Sequence, residues 1–217
     1  IREVSRESAK GRILLVATTD LDKSETVIWN MGAIAATGGE LARTLFRDVL
    51  IASSSIPGVF PPVMISVRDT HGVAFQEMHV DGGPSRQVFL APAQFSLRTF
   101  DKLYPQPPIR RVYVVRNGKL APVYEAVKAN TLAISARSLF TLTKNQSIGD
   151  INQIYAMTAR DGAEFRLASI PASFTAQSAQ PFDPAYMKAL FEVGYRLGQS
   201  GNAWERTPPD SVILARR

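Results

Sequence analysis

Cysteine is absent from this sequence of 217 residues. Its absence excludes disulfide bonds, thiol catalysis and zinc or iron–sulfur sites built on cysteine. Because cytosolic and exported proteins can both lack cysteine, the compartment stays open. No apolar run approaches the roughly 20 residues that a membrane-spanning helix requires, and no signal-peptide pattern follows Ile1. Since the first residue is not methionine, we expect the chain to begin inside a longer gene product.

Acidic residues are outnumbered by basic ones, with 19 Asp and Glu against 25 Lys and Arg, which gives a formal net charge of +6. The basic residues are scattered, and the densest pairs, Arg110-Arg111 and Arg216-Arg217, form no tract. Because no nucleic-acid-binding module is recognisable either, we expect no nucleic-acid partner. The same charge fits attraction to a membrane surface that carries anionic lipid headgroups.

Short apolar runs predict the strands. The runs at 13–17 and 111–115 are continuous, which is typical of strands buried on both faces. Residues 63–67 and 73–80 flank the turn cluster Asp69-Thr70-His71-Gly72. This arrangement predicts a β-hairpin.

Helical patterns lie between these strands. Apolar residues recur every three or four positions between 41 and 50, and Asp183-Pro184 predicts a helix start with the aspartate as its cap. The region 123–157 is interpreted as two helices broken near 147–150. Strands that alternate with helices predict an α/β protein. We predict one domain over residues 1–217, with three layers, α/β/α, around a mainly parallel central sheet.

Asp81 stands at the end of the second predicted hairpin strand, in the stretch H-V-D-G-G-P-S-R-Q-V-F of residues 79–89. Gly82 and Gly83 follow it, and glycine permits unusual backbone angles and close approach of other groups. In α/β folds, functional groups lie at the carboxyl ends of strands. Asp81 is therefore a candidate catalytic residue, although an Asp-Gly turn with a hydrogen-bonding aspartate is the plainer interpretation of these local features.

Asp81 belongs to a set of four sequence stretches. They are G-R-I-L-L-V-A-T-T-D-L-D (11–22), V-I-W-N-M-G-A-I-A (27–35), A-S-S-S-I-P-G-V-F-P-P (52–62) and D-G-G (81–83). In this order they resemble the patatin-like phospholipase family, and its bacterial members in particular, in which A-S-x-x-x-P, F-P-P and Asp-Gly-Gly segments follow one another. The resemblance is specific over residues 11–90 and looser beyond.

The resemblance implies a patatin-like fold and a lipid acyl hydrolase, a phospholipase or esterase that uses a serine–aspartate dyad. Asp81 would take the proton of the serine hydroxyl, and the serine would attack an ester carbonyl. Gly82 and Gly83 would keep bulk away from the serine and the substrate. The implied partner is a lipid or another acyl ester, and no cofactor is required. The similarity to bacterial members of the family favours a location in the bacterial cell envelope or secretion of the protein.

The sequence departs from the family because it has no G-x-S-x-G motif, on which the family's nucleophilic serine lies. N-Q-S-I-G at 145–149 has only the second glycine, and G-Q-S-G-N at 198–202 has only the first. The family's glycine-rich oxyanion loop is missing as well. We therefore expect a fold that is incomplete at its N-terminus, with the serine in a segment before Ile1. Since one member of the catalytic unit is absent, the chain alone is expected to be close to inactive.

Other residues near Asp81 in sequence have candidate roles. Pro57 and Phe60, together with Trp29 and Phe89, can line an acyl-chain pocket, although such residues more often belong to a core. The serines at 53–55 follow a helical stripe. We interpret them as helix-terminating residues rather than nucleophiles, since short hydroxyl side chains bond to nearby backbone groups.

A metal site is conceivable on the strand that leads to Asp81. Glu77, His79 and Asp81 alternate along it and so share one face, and imidazole and carboxylate groups bind several metals. Three ligands on one strand do not converge without partners from elsewhere, and the only other histidine is His71. We therefore predict no metal and interpret His79 as a solvated or core-edge residue.

Two other functions are open from the sequence. One is a non-catalytic binding or scaffolding domain with the patatin-like fold, because a fold does not guarantee a function. The other is a basic protein that interacts with a membrane surface through its charge.

Overall fold

The computed structural model describes residues 1–85, 88, 90, 95–99, 101–124, 126–178, 180 and 182–208. It divides into two compact units, residues 1–87 and residues 88–217. Each unit has its own sheet and its own hydrophobic core. The prediction of a single domain over 1–217 stays a prediction.

The first unit is a four-stranded sheet with helices. Its elements in the described residues are α1 (Arg2–Ala9), β1 (Leu15–Asp20), β2 (Glu25–Asn30), α2 (Met31–Thr37), α3 (Gly39–Ala52), β3 (Val63–Arg68) and β4 (Ala74–Asp81). The strands follow the spatial order β2-β1-β4-β3. Every pair of neighbouring strands in this sheet is antiparallel.

The mainly parallel central sheet that we predicted is wrong for this unit. β1 ends at Asp20 and β2 begins at Glu25, while β3 ends at Arg68 and β4 begins at Ala74. Connections this short form hairpins, because a parallel neighbour needs a crossover of about a dozen residues or more. The hairpin predicted around residues 69–72 is confirmed.

The sequence predicts that the apolar run at 13–17 is buried on both faces, and this prediction is wrong. Ile13 lies before β1 and is 74% exposed, and Leu15 is exposed as well. Only Thr18, Thr19 and Asp20 pair with both β2 and β4. This end of β1 is buried because it has a neighbouring strand on each side, and its three residues are polar.

One face of the sheet carries the core of the first unit, against which α2 and α3 pack. The fully buried residues of this core are Met31, Val49 and Ile65. The strand residues that join them are Val16, Trp29, Val63 and Val67. Side chains that alternate along paired strands share a face, and the register places all of these strand residues on the same one.

The second unit contains a parallel pair of strands, β5 (Arg111–Arg116) and β6 (Glu164–Ser169). Helix α4 (Thr131–Asp161) connects them, as a parallel pair requires. A short 3₁₀ helix (Asp101–Leu103) precedes β5, and α5 (Pro184–Ser200) follows β6. The chain is therefore a mixed α/β protein, as predicted.

Helix α4 is continuous, so the break predicted near residues 147–150 is wrong. Ile151 and Ile154 of this helix are buried in the same core cluster as Val114 of β5. A glycine inside a helix costs about 1 kcal/mol relative to alanine. Burial of the inner face stabilises the helix enough to include Gly149, because tertiary packing provides most helical stability in proteins.

Among the described residues, one face of β5 lies in the core, and the other face is largely exposed apart from a contact between Tyr113 and Trp204. Val112 and Val114 pack in the core of the second unit, whereas Tyr113 and Val115 are exposed. The predicted burial of residues 111–115 on both faces is therefore wrong, because a continuous apolar run does not reveal which faces find a partner.

Helix α5 begins as predicted. Asp183 Oδ1 accepts hydrogen bonds from the amide nitrogens of Ala185 (2.9 Å) and Tyr186 (3.3 Å). Pro184 is the first helical residue, where its missing N–H costs no helical hydrogen bond.

Candidate functional site

The backbone of Asp81, the last residue of β4, is held from two sides. Its amide nitrogen donates to the carbonyl oxygen of Ser55 at 3.0 Å, and its carbonyl oxygen accepts from Thr19 Oγ1 at 2.9 Å. Thr19 Oγ1 also lies 2.7 Å from Ser85 Oγ, just beyond the glycines. These bonds bring the A-S-S-S-I-P and D-G-G stretches together and fix the position from which the Asp81 side chain extends.

The Asp81 carboxylate forms a tight turn with its own backbone. Oδ1 accepts from the amide nitrogen of Gly83 at 2.6 Å, the aspartate turn that the plainer interpretation expects. Within the part of the chain that is described, this is its one side-chain hydrogen bond. The residue is half-buried at the end of the strand. The bond orients the carboxylate without placing it in an ion pair among the described residues.

Gly82 and Gly83 are both buried, and Gly82 fits only because it lacks a side chain. A Cβ atom at Gly82 would lie 2.9 Å from the carbonyl oxygen of Ala17 and 3.1 Å from the Ala17 Cβ. Real Cβ atoms essentially never approach another heavy atom as closely as the first of these distances. Gly82 therefore allows the backbone of β1 to approach closely, while the role of both glycines beside a serine and a substrate stays a prediction.

The serines at 53–55 close helix α3. Ser53 Oγ and Ser54 Oγ donate to the carbonyl oxygen of Leu50, and Ser55 Oγ donates to that of Ile51. Their hydroxyl groups therefore satisfy carbonyls of the last helical turn, which supports the interpretation of these serines as helix-terminating residues.

The residues predicted to line an acyl pocket have different surroundings. Pro57 and Phe60 are exposed, two and five positions after the Ser55 that binds Asp81, and their role stays a prediction. Trp29 packs against the core of the first unit. Phe89 lies outside the described residues.

A second polar group lies on the core face of the same sheet. In the register, Asp20 of β1 is directly opposite His79 of β4, and Glu77 lies two positions before His79 on the same face. All three side chains are buried, and those of Asp20 and His79 are fully so. His79 is thus a core residue, which corrects the interpretation of it as solvated or core-edge.

A chain of hydrogen bonds leads into this group. Trp29 Nε1 donates to Thr18 Oγ1 at 2.8 Å, Thr18 Oγ1 lies 3.0 Å from His79 Nδ1, and His79 Nε2 lies 3.4 Å from Glu77 Oε2. Because indole only donates, the hydroxyl proton of Thr18 is left to donate to Nδ1. The hydrogen-bond pattern therefore assigns the ring proton to Nε2, which faces Glu77.

Lys23 closes the group from the turn between β1 and β2. Its ammonium contacts Glu77 Oε1 and lies 3.4 Å from Asp20 Oδ2. The hydrogen bond to Glu77, helped by the charge of Asp20, raises the pKa of Lys23. Asp20 Oδ1 accepts from the amide nitrogen of Asp22 at 2.9 Å.

Asp20, Glu77 and His79 can hold a metal ion, since one ligand atom from each lies within 4.8 Å of the others. The set differs from the one considered in the sequence, because Asp81 is not a member and Asp20 is. The partner that a single strand cannot supply comes from the neighbouring strand. The sequence signal for this partner was the A-T-T-D end of β1. Thr18 and Asp20 alternate along it and lie on the core face, where apolar residues are the usual choice.

No family model matches the chain, and no curated protein matches it significantly. The resemblance to patatin-like phospholipases therefore rests on the four sequence stretches and stays a prediction.

Among the described helices, none combines the length and apolar character that crossing a bilayer requires.

The geometry around Asp81 is suited to proton transfer. A base must be oriented within hydrogen-bond reach of the proton that it takes. Asp81 is anchored through both of its backbone polar groups and through one carboxylate oxygen, so it is a pre-oriented acceptor.

Proposed function

We propose that this chain supplies the aspartate base of a patatin-like lipid acyl hydrolase with a three-layer α/β/α fold. The observation that carries the proposal is the hydrogen bond between the amide nitrogen of Asp81 and the carbonyl oxygen of Ser55. It joins two stretches that are distant in sequence and neighbours in the family's motif order.

The proposed reaction begins when the Asp81 carboxylate takes the proton of a serine hydroxyl. The serine oxygen attacks the ester carbonyl, the alcohol leaves with the proton from Asp81, and an acyl-serine remains. Asp81 then takes a proton from a water molecule, whose oxygen attacks the acyl carbonyl. The serine oxygen leaves with this proton from Asp81, and the fatty acid and the free serine are released. Because the 217 residues contain no G-x-S-x-G motif, the serine comes from another segment or chain.

The test measures the hydrolysis of a short-chain p-nitrophenyl ester by a protein that contains this chain together with a G-x-S-x-G segment. The wild type is compared with single variants. Asp81→Asn is expected to lower kcat by about 10⁴-fold, as loss of one member of a catalytic unit does. Glu40→Gln, which removes a carboxylate that is 79% exposed on α3, is the matched control. Equal rates for wild type and Asp81→Asn would instead support the non-catalytic binding or scaffolding function.

A second candidate function, binding to an anionic membrane surface, is favoured by the first half of α4. We define the α4 outer surface by four exposed apolar residues: Leu132, Leu139, Phe140 and Leu142. Exposed apolar side chains beside basic ones suit the interface of an anionic bilayer.

The charges around the α4 outer surface have one sign. Residues 126–149 contain Lys128, Arg137 and Lys144 but no Asp or Glu. Anionic headgroups attract basic side chains by about 1 kcal/mol each near the surface. An anionic bilayer is therefore the occupant that matches both the apolar and the charged residues.

Sedimentation of the chain with vesicles tests this second function. Binding to vesicles with 30–40% phosphatidylserine is expected to exceed binding to pure phosphatidylcholine and to fall as salt rises, since salt screens exposed charges. The double variant Leu139→Ser/Phe140→Ser should bind weakly. Phe191→Ser is the matched control, because Phe191 on α5 is 66% exposed and Leu139 is 64% exposed.

Two results would contradict membrane binding. One is binding that ignores both lipid charge and salt. The other is an oligomer that the double variant converts to a monomer, which would make the α4 outer surface a contact between copies of the chain.

A further inference from the structure

We propose that Asp20, Glu77 and His79 form a binding site for a divalent transition-metal ion of the zinc type, which joins β1 to β4. The ligand atoms are Asp20 Oδ2, Glu77 Oε2 and His79 Nε2. The site does not depend on the proposed hydrolase function, because Asp81 is not a ligand.

The ligand set matches the chemistry of zinc. Zinc binds imidazole nitrogen and carboxylate oxygen at about 2.0–2.2 Å, usually with tetrahedral geometry. Two such ligands are then about 3.4 Å apart, and His79 Nε2 lies 3.4 Å from Glu77 Oε2. Because one ligand atom from each of the three residues lies within 4.8 Å of the others, small side-chain rotations bring three ligands to one ion.

The charge of the group also favours a cation. Asp20 is fully buried, and its Oδ2 has no hydrogen bond that meets the usual geometric criteria among the described residues, although the Lys23 ammonium lies 3.4 Å away. The buried carboxylates of Asp20 and Glu77 carry two negative charges, and the ammonium of Lys23 brings one positive charge. A buried charge without compensation is costly, and a divalent ion compensates both carboxylates together.

Lys23 is the competing cation. Its side chain is half-exposed and extends from the turn between β1 and β2, so its ammonium can move into solvent when a metal ion enters. The metal affinity therefore depends on the difference between two free energies, that of the metal ion and that of the Lys23 ammonium, each bound to the same carboxylates. Removal of the ammonium should increase metal affinity, which a purely structural ion network does not predict.

The second nitrogen of His79 has the partner that a ligating histidine requires. When Nε2 binds a metal, the ring proton must sit on Nδ1, and ligating histidines donate this proton to a neighbouring acceptor. Thr18 Oγ1 lies 3.0 Å from Nδ1 and can accept there, because a hydroxyl oxygen has two lone pairs.

The experiment is a calorimetric titration of the metal-free 217-residue chain with Zn²⁺, repeated with Co²⁺ for its absorption spectrum. We expect one ion per chain and a Co²⁺ spectrum with nitrogen and oxygen ligands. His79→Gln and Glu77→Gln should each weaken binding at least 10-fold, whereas Lys23→Met should strengthen it about 10-fold. His71→Gln is the matched control, since His71 is the other histidine of the chain, and it should leave the affinity unchanged.

Three outcomes would overturn the site. They are no binding of Zn²⁺ or Co²⁺ at millimolar concentration, binding that is lost in His71→Gln but kept in His79→Gln, and a Lys23→Met variant with unchanged affinity. The Lys23→Met measurement decides the question even if the His79→Gln chain does not fold, because Lys23 is half-exposed. Loss of esterase activity in Asp81→Asn is independent of all three, so failure of one proposal is distinguishable from failure of the other.

Discussion

Gly82 lies against the backbone of Ala17, with space for a hydrogen but not for a methyl group. A Cβ atom at position 82 would be 2.9 Å from the Ala17 carbonyl oxygen. The contact lies immediately after Asp81, at the end of β4 where that strand pairs with β1. The position of the Asp81 side chain therefore depends on the absence of a side chain at the next residue.

Gly82→Ala should lower the free energy of unfolding by about 1–3 kcal/mol, the usual cost of adding a methyl group to a closely packed site. The new methyl group would meet the backbone and the Cβ of Ala17, neither of which can rotate away. Urea denaturation measures the change. Gly149→Ala in α4 is the control, since its new Cβ meets nothing within 4 Å; it should raise stability by up to about 1 kcal/mol. A Gly82→Ala variant as stable as wild type would contradict the contact.

Local sequence signals predicted the elements whose causes are local. The turn cluster at 69–72 gave the β3–β4 hairpin, and Asp183-Pro184 gave the start of α5. The parallel sheet was wrong because strand direction depends on the length of the connections. The burial of 13–17 was wrong because it depends on which strands become neighbours, and an apolar run does not specify them.

The candidate site also has features that local sequence predicted and features that depend on contacts between distant residues. The place of Asp81 at the end of a strand was predictable from the hairpin and the glycines that follow. Its contacts with Ser55 and Thr19 were not, because they join residues 26 and 62 positions apart. The group around His79 needed the register between β1 and β4, and a register is set by turns and by the buried face rather than by any one residue.

Thr18→Val should destabilise the first unit by about 2–6 kcal/mol, because it leaves two polar groups at the core without partners at about 1–3 kcal/mol each. These groups are Trp29 Nε1 and His79 Nδ1, which both meet Thr18 Oγ1. Valine has nearly the shape of threonine, so the change tests the hydroxyl rather than the packing. Denaturation followed by tryptophan fluorescence provides the measurement.

Thr18→Ser is the control for this prediction, because it keeps the oxygen and removes only a methyl group. It should cost clearly less than Thr18→Val. If the two variants lose equal stability, the methyl group rather than the hydrogen-bond chain supports this part of the core.

Asp183→Ala should loosen the start of α5 by about 1 kcal/mol, the usual cost of losing an N-cap. The carboxylate accepts from two amide nitrogens of the first turn. Because none of the residues of α5 is fully buried, the loss should be visible as faster amide hydrogen exchange at the first turn of α5. Asp183→Ser should restore slow exchange, since serine caps about as well as aspartate; equally fast exchange in both variants would contradict the cap.

Asp161, at the end of α4, should make the stability of the second unit depend on pH. Its carboxylate accepts from the amide nitrogen of Leu97 at 2.6 Å and from Ser96 Oγ at 3.2 Å. The hydrogen bond from Arg160, assisted by the Leu97 amide, holds the pKa of Asp161 well below its usual range.

The depressed pKa gives the sign of the effect. A carboxylate whose pKa is lower in the folded state contributes stability above its unfolded pKa of about 3.9 and loses it as the pH falls towards the folded value. Asp161→Asn should therefore be less stable than wild type at pH 7, and the difference should narrow between pH 4 and pH 2. Urea denaturation at several pH values measures this. A difference that stays constant over that interval would mean that Asp161 acts through its shape and not through its charge.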